Sequence, residues 1–168
     1  MQTLPPSRLS RELRLGSGDD LMRRRIGIGL SFAGAAIGAI VGAYQTGILK
    51  RLPDILPGRV FDAEKVDASD YAYENAQMPD GPQMLVNYGL TAMLLAAGGK
   101  DRARQLPAAA IGTAAKTVFD FVLALALAKK EWRDSKALCS WCQVATAISA
   151  VSVALAVPEA AKALRHAR

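Results

Sequence analysis

The residues best equipped for chemistry are Cys139 and Cys142, in the stretch Leu138-Cys139-Ser140-Trp141-Cys142-Gln143. They are the only two cysteines in the chain of 168 residues. They stand where a charged stretch, residues 129–136, gives way to an apolar run ending near Val157. At a helix N-terminus this spacing brings two sulfurs within disulfide reach. The helix dipole, with Arg133 and Lys136 nearby, favours a thiolate on the more exposed sulfur. Such a pair serves redox exchange, forms half of a zinc site, or is simply buried. Zinc wants four N or S ligands and the chain offers only His166 besides, so no metal is expected. Redox exchange and inert packing both stay open on the residues alone. A second polar pair, Lys116 and Asp120, lies one turn apart on one face of another apolar run. Charges there point into a bundle, either as a structural ion pair or with Asp120 handling protons.

The elements that must position these groups are apolar helices. Hydrophobic residues make up 51% of the chain but aromatics only 6%, and there are 14 glycines. Small residues suit close helix contact in lipid better than a globular core. The net charge of +6 does not call for nucleic acid, because Lys and Arg gather at the ends of apolar runs, as the positive-inside rule expects. Residues 1–25 read as a mobile, cytoplasmic polar tail ending in Arg23-Arg24-Arg25. The run that follows has the form of a signal sequence, with Val41-Gly42-Ala43 as a cleavage site. Residues 26–49 are nevertheless uncharged and long enough for the roughly 20 residues of a retained spanning helix. Gly34, Gly38 and Gly42 give that helix a smooth face, expected to pack against another helix of the same chain.

Residues 50–82 form a net acidic outer connection with Pro53, Pro57, Pro79 and Pro82, in which Phe61, Tyr71 and Tyr73 could seat at headgroup level. Residues 83–99 are a shorter second span carrying Asn87, and residues 100–104 a basic cytoplasmic hairpin. Residues 107–128 are a third span with proline in its first turn. Residues 129–136 are a second outer connection, where Trp132 and Trp141 fit an interfacial belt. Residues 137–157 are a fourth span stopped at Pro158, and Lys162, Arg165 and Arg168 mark a basic cytoplasmic tail over 159–168. The predicted fold is all-α, an integral membrane bundle of four transmembrane helices over 26–158. It is multi-pass in the inner or plasma membrane, with both termini cytoplasmic and the cysteines at the outer mouth.

With Cys-x-x-Cys at the outer start of a fourth helix, the chain resembles the vitamin K epoxide reductase family, especially its small bacterial homologues. The likeness covers residues 26 to about 157. It is most specific over Lys136-Ala137-Leu138-Cys139-Ser140-Trp141-Cys142-Gln143, with a weaker echo in Lys65-Val66-Asp67-Ala68-Ser69-Asp70-Tyr71. It implies that Cys139 exchanges disulfides with an extracytoplasmic, thioredoxin-like thiol protein, while Cys142 faces an isoprenoid quinone of ubiquinone or menaquinone type. It also implies quinone contacts from Asn87 and from Thr146, which stands where better-known members have tyrosine. Asp120 is the available proton carrier. The family's two shuttle cysteines of the first outer loop have no counterpart in residues 50–82, so an internal relay is excluded. Two other readings follow from the same residues: a non-catalytic membrane structural or assembly protein of this fold, and a soluble helical bundle.

Overall fold

The computed structural model describes residues 5–166. Among them the chain is all-helical: α1 (Pro6–Leu15), α2 (Asp19–Gln45), α3 (Ala63–Asp67), α4 (Asp80–Ala96), α5 (Arg102–Gln105), α6 (Pro107–Ser135) and α7 (Ser140–His166). Three of these, α2, α6 and α7, are long and apolar enough to cross a membrane. At 1.5 Å per residue, the 17 residues of α4 reach about 26 Å, against a hydrocarbon core of about 30 Å. In the bundle α2 packs along α4 and α7, α7 along α6, and the seam between α4 and α6 is much looser.

Glycine sets the closest crossing. A Cβ on Gly38 would stand 2.6 Å from the backbone nitrogen of Leu85 and 2.8 Å from the carbonyl oxygen of Gly81. Gly34 lies under the ring of Tyr88 and Gly42 under Pro82. The glycine face therefore meets α4 of its own chain, as expected, because a missing side chain is what lets two backbones touch. Tyr88 continues through the bundle: its hydroxyl bonds the Ala145 carbonyl at 2.6 Å and pairs with Ser149 Oγ at 2.9 Å.

Several boundaries differ from those the sequence suggests. The expected mobile tail holds α1 and the start of α2. Arg25 ties the two together by donating to the carbonyls of Leu13 and Gly16. Arg24 is buried, and its guanidinium reaches the carbonyls of Leu95, Gly98 and Gly99 at 2.7–2.8 Å. Those oxygens would otherwise be orphaned at the C-terminus of α4. The hairpin at 100–104 is likewise not a free basic loop, since Arg102 is buried against Glu159.

The expected outer connection 129–136 is in fact the last two turns of α6. That helix ends only when Lys136 takes the left-handed conformation (φ 52°), a common helix stop. α7 runs through Pro158, where the ring removes one backbone hydrogen bond but the buried neighbours Ala156, Glu159, Ala160 and Ala163 hold both halves in line. Arg168 lies outside the described residues. At one end of the bundle Lys162 Nζ meets Asp20 Oδ2 at 2.7 Å, gathering the starts and ends of α2, α4, α6 and α7 that carry most basic residues. Residues 46–79 and the turn before α7 form the other end.

Candidate active site

Residues 50–82 are no solvated loop. Leu52, Ala63, Val66, Asp67, Tyr71 and Ala72 are buried beside Cys139 in the main core. Asp54 organises the connection with one carboxylate: Oδ2 accepts from Ala63 N at 3.0 Å and Oδ1 from Ser140 N at 3.2 Å. A single anion thus caps the N-termini of α3 and α7, where unpaired N–H groups and helix dipoles favour negative charge. Asp62 caps α3 as well, accepting from Lys65 N. Phe61 pairs with Leu138 in a short bridge, with Leu138 N donating to Val60 O and Asp62 N to Leu138 O. Ile55 N donates to Ser140 Oγ and Trp141 Nε1 to Pro53 O. Tyr71 is buried, and its hydroxyl donates to the Leu127 carbonyl.

These contacts set the cysteines at the first turn of α7. Cys139 accepts the Cys142 N–H on its sulfur at 3.3 Å, and its own N–H goes to Glu131 Oε2 at 3.3 Å. Gln143 Nε2 joins the same Glu131 oxygen. Both cysteines are free thiols. Their sulfurs and a carboxylate oxygen of Asp67 lie within 4.8 Å of one another. Three donors fall one short of the four that close a structural zinc site, and His166, the remaining candidate from the sequence, ends α7 far along the chain.

The site is acidic, not basic. Lys136 serves as the stop of α6, and exposed Arg133 pairs with Asp134, so the groups around the sulfurs are Asp54, Asp67 and Glu131. Burial, with the nearby Asp80 and Asp54 carboxylates adding to it, pushes the Asp67 carboxyl up to about 7, because a charge there has lost its water. Cys139 is fully buried and Cys142 half-buried, and Leu52 of the connection before α3 shares the core cluster of Cys139.

The other expected residues form a second cluster across the α4–α6 seam. Lys116 Nζ sits within hydrogen-bond distance of four acceptors that share its three N–H groups: Asn87 O and Oδ1, both at 2.9 Å, Thr91 Oγ1 at 2.6 Å and Asp120 Oδ2 at 2.5 Å. Asn87 and Asp120 are therefore brought together around one ammonium, without a hydrogen bond to the cysteine cluster among the described residues. Thr146 Oγ1 donates to the Cys142 carbonyl one turn back.

Asp67, Glu131 and Asp54 were not singled out from sequence. Asp67 is one of seven acids in residues 50–82, and nothing in composition separates it from the six others. Glu131 does carry a trace: it follows Leu127 by four residues and precedes Ser135 by four, so it lies on the inner stripe of α6.

The sequence model of the vitamin K epoxide reductase family matches residues 25–157, most of the chain. No curated protein and no solved structure matches it.

Proposed function

The chain belongs to the vitamin K epoxide reductase family, and from that membership and the cysteine pair we propose that it is a membrane thiol–disulfide oxidoreductase linked to a quinone. The observation that carries the reading is the pair itself, two free thiols close enough to join, at the mouth of a bundle of apolar helices. We place α4 in the membrane as the fourth span. The end holding Lys100, Arg104 and Lys162 faces the cytoplasm, and the cysteine end faces outward, where disulfides persist.

A quinone, when bound, supplies a lipid-soluble acceptor of two electrons and two protons. The chain has a flank suited to it. The α4–α6 seam is loose, and both helices carry exposed apolar side chains, Leu85 and Val86 on α4 and Val122, Leu123 and Leu125 on α6. Asn87 spends its carbonyl oxygen on Lys116, which leaves its amide N–H groups to address an oxygen there. Thr146 has its hydroxyl proton committed to the backbone and so lines the site without donating. Asp120, clamped by Lys116, holds that cation in place across the seam.

On the thiol side, a thiolate of a reduced dithiol partner attacks the disulfide and one enzyme sulfur leaves as thiolate. The partner's second thiol then breaks the mixed disulfide, so the partner departs oxidised and both cysteines are left reduced. With no loop cysteines to relay, an extracytoplasmic thioredoxin-like protein meets the pair directly. Cys142 is the less buried of the two residues. Cys139 becomes reachable when residues 51–61, held to α7 by three direct contacts of Asp54, Ile55 and Pro53, lift away.

The test is thiol consumption by the purified protein in mild detergent with a dithiol reductant and a short-chain quinone. Turnover is expected only when quinone and both cysteines are present. Cysteine-independent turnover, or none, would leave the chain as a structural or assembly protein of this fold.

A further inference from the structure

Asp67 is 1% exposed, and neither of its carboxylate oxygens has a hydrogen-bond partner among the described residues. A buried carboxyl without a partner is costly, and nothing in the packing of α3 requires one: Ala63 and Val66 fill the same face with apolar groups. What its oxygen does approach is two sulfurs, Cys139 and Cys142. We propose that Asp67 is the proton acceptor and donor of the cysteine pair, its carboxylate taking the proton of the thiol that attacks and returning it to the sulfur that leaves.

The proposal rests on the redox reading above and assigns the proton. When the dithiol is oxidised, two S–H bonds break and one S–S bond forms. Two electrons go to the acceptor, a quinone in that reading. Asp67 carries one of the two released protons as its carboxylic acid before passing it on. In the reverse exchange the acid form protonates the departing thiolate. The carboxyl is tuned for both directions, since burial raises it to about 7, where acid and base forms coexist near neutral pH. The titratable groups close enough to feel it are Cys139, Cys142, Asp54, Asp80, Glu131, Tyr44 and Tyr71, none of them a cation. Nothing in that set neutralises Asp67 by pairing, so its charge state is free to follow the sulfurs.

The test uses the full chain in detergent and does not need the quinone. The fully reduced protein is oxidised with diamide, which takes two hydrogens from a dithiol, and disulfide formation is followed as a function of pH. The wild-type rate is expected to rise through an inflection near pH 7, below the thiol range. Asp67→Asn and Asp67→Ser are expected to lose that inflection and to slow by roughly a hundredfold at pH 7.5, the low side of a positioned base. An electrostatic role alone gives the opposite sign, because removing a negative neighbour favours the thiolate and speeds oxidation. Variants as fast as wild type or faster overturn the proposal. A wild-type profile without an inflection near neutrality overturns it whether or not the variants fold. Asp67→Asn is expected to gain thermal stability above pH 7, because the wild type there buries an unpaired charge. Quinone turnover measured on the same wild-type sample separates the readings: an inflection with diamide but no quinone activity sinks the quinone link and leaves Asp67 its role.

Discussion

Cys142→Ala is expected to reduce quinone-dependent thiol oxidation to background while leaving the protein folded. A disulfide needs both sulfurs, so no partial activity survives. The side chain is half-buried and its sulfur makes no cap, so the stability loss should be about 1 kcal/mol, the ordinary range for a point change. Cys139→Ala should abolish turnover equally but cost more, because that sulfur is 0% exposed and receives the Cys142 N–H. The two variants separate further with a small aromatic disulfide as probe. Cys139→Ala leaves the cysteine of the less buried residue and should form a mixed disulfide the faster of the two. Cys142→Ala leaves a sulfur beneath residues 51–61 and should react slowly, faster only when Asp54 no longer holds Ser140 N. The reverse order of reactivity would make Cys139 the point of entry and residues 51–61 an open flap.

Glu159→Ala is expected to destabilise the bundle by about 3–5 kcal/mol, the range for removing one partner of a buried ion cluster. Glu159 is 2% exposed and faces two cations that are as deeply buried, Arg24 at 2% and Arg102 at 1%. Arg102 Nε donates to its Oε1 at 3.1 Å, and the second guanidinium nitrogen, Nη2, meets its Oε2. Arg24 Nη1 lies 3.9 Å from the same Oε1. Without the carboxylate, two guanidiniums remain inside with only backbone carbonyls to face. Those carbonyls belong to the end of α4, so the loss is transmitted to the shortest of the four long helices. Unfolding in mixed micelles measures the loss, and turnover per folded molecule should be unchanged because the cluster lies at the end opposite the cysteines. A loss under about 0.5 kcal/mol, the scale of an ordinary surface change, would show that water reaches this cluster.

How much of this was legible in the sequence depends on range. The long helices follow from apolar runs, a one-dimensional property, and the glycine face of α2 from a spacing of four. Cys-x-x-Cys is likewise local, and its position just before an apolar run places it at a helix start. What stayed hidden is pairwise. Arg24 reads as one of three topogenic arginines until the carbonyls of residues 95–99 are seen to close over it. Glu131 and Lys130 are adjacent in a charged stretch, yet Lys130 pairs outward with Glu74 while Glu131 turns in to Cys139 N. Charge usually ends a span, so that stretch looks like a connection in sequence, but α6 continues beyond its apolar part with one face still against α7. Asp67 was the least legible of all. Its meaning lies in a distance to residues more than 70 positions away, and in the absence of any partner, neither of which a sequence displays.

The central claim is that these two thiols hand an electron pair to a lipid-soluble quinone. Its sharpest test is a single turnover: anaerobic, fully reduced protein in detergent is mixed with an equimolar short-chain quinone. Free thiols are then counted by alkylation and mass while quinol is measured optically. The account predicts loss of both thiols for each quinol formed, with no quinol from Cys142→Ala. Quinol without thiol loss, or two thiols persisting beside unreduced quinone, would contradict it.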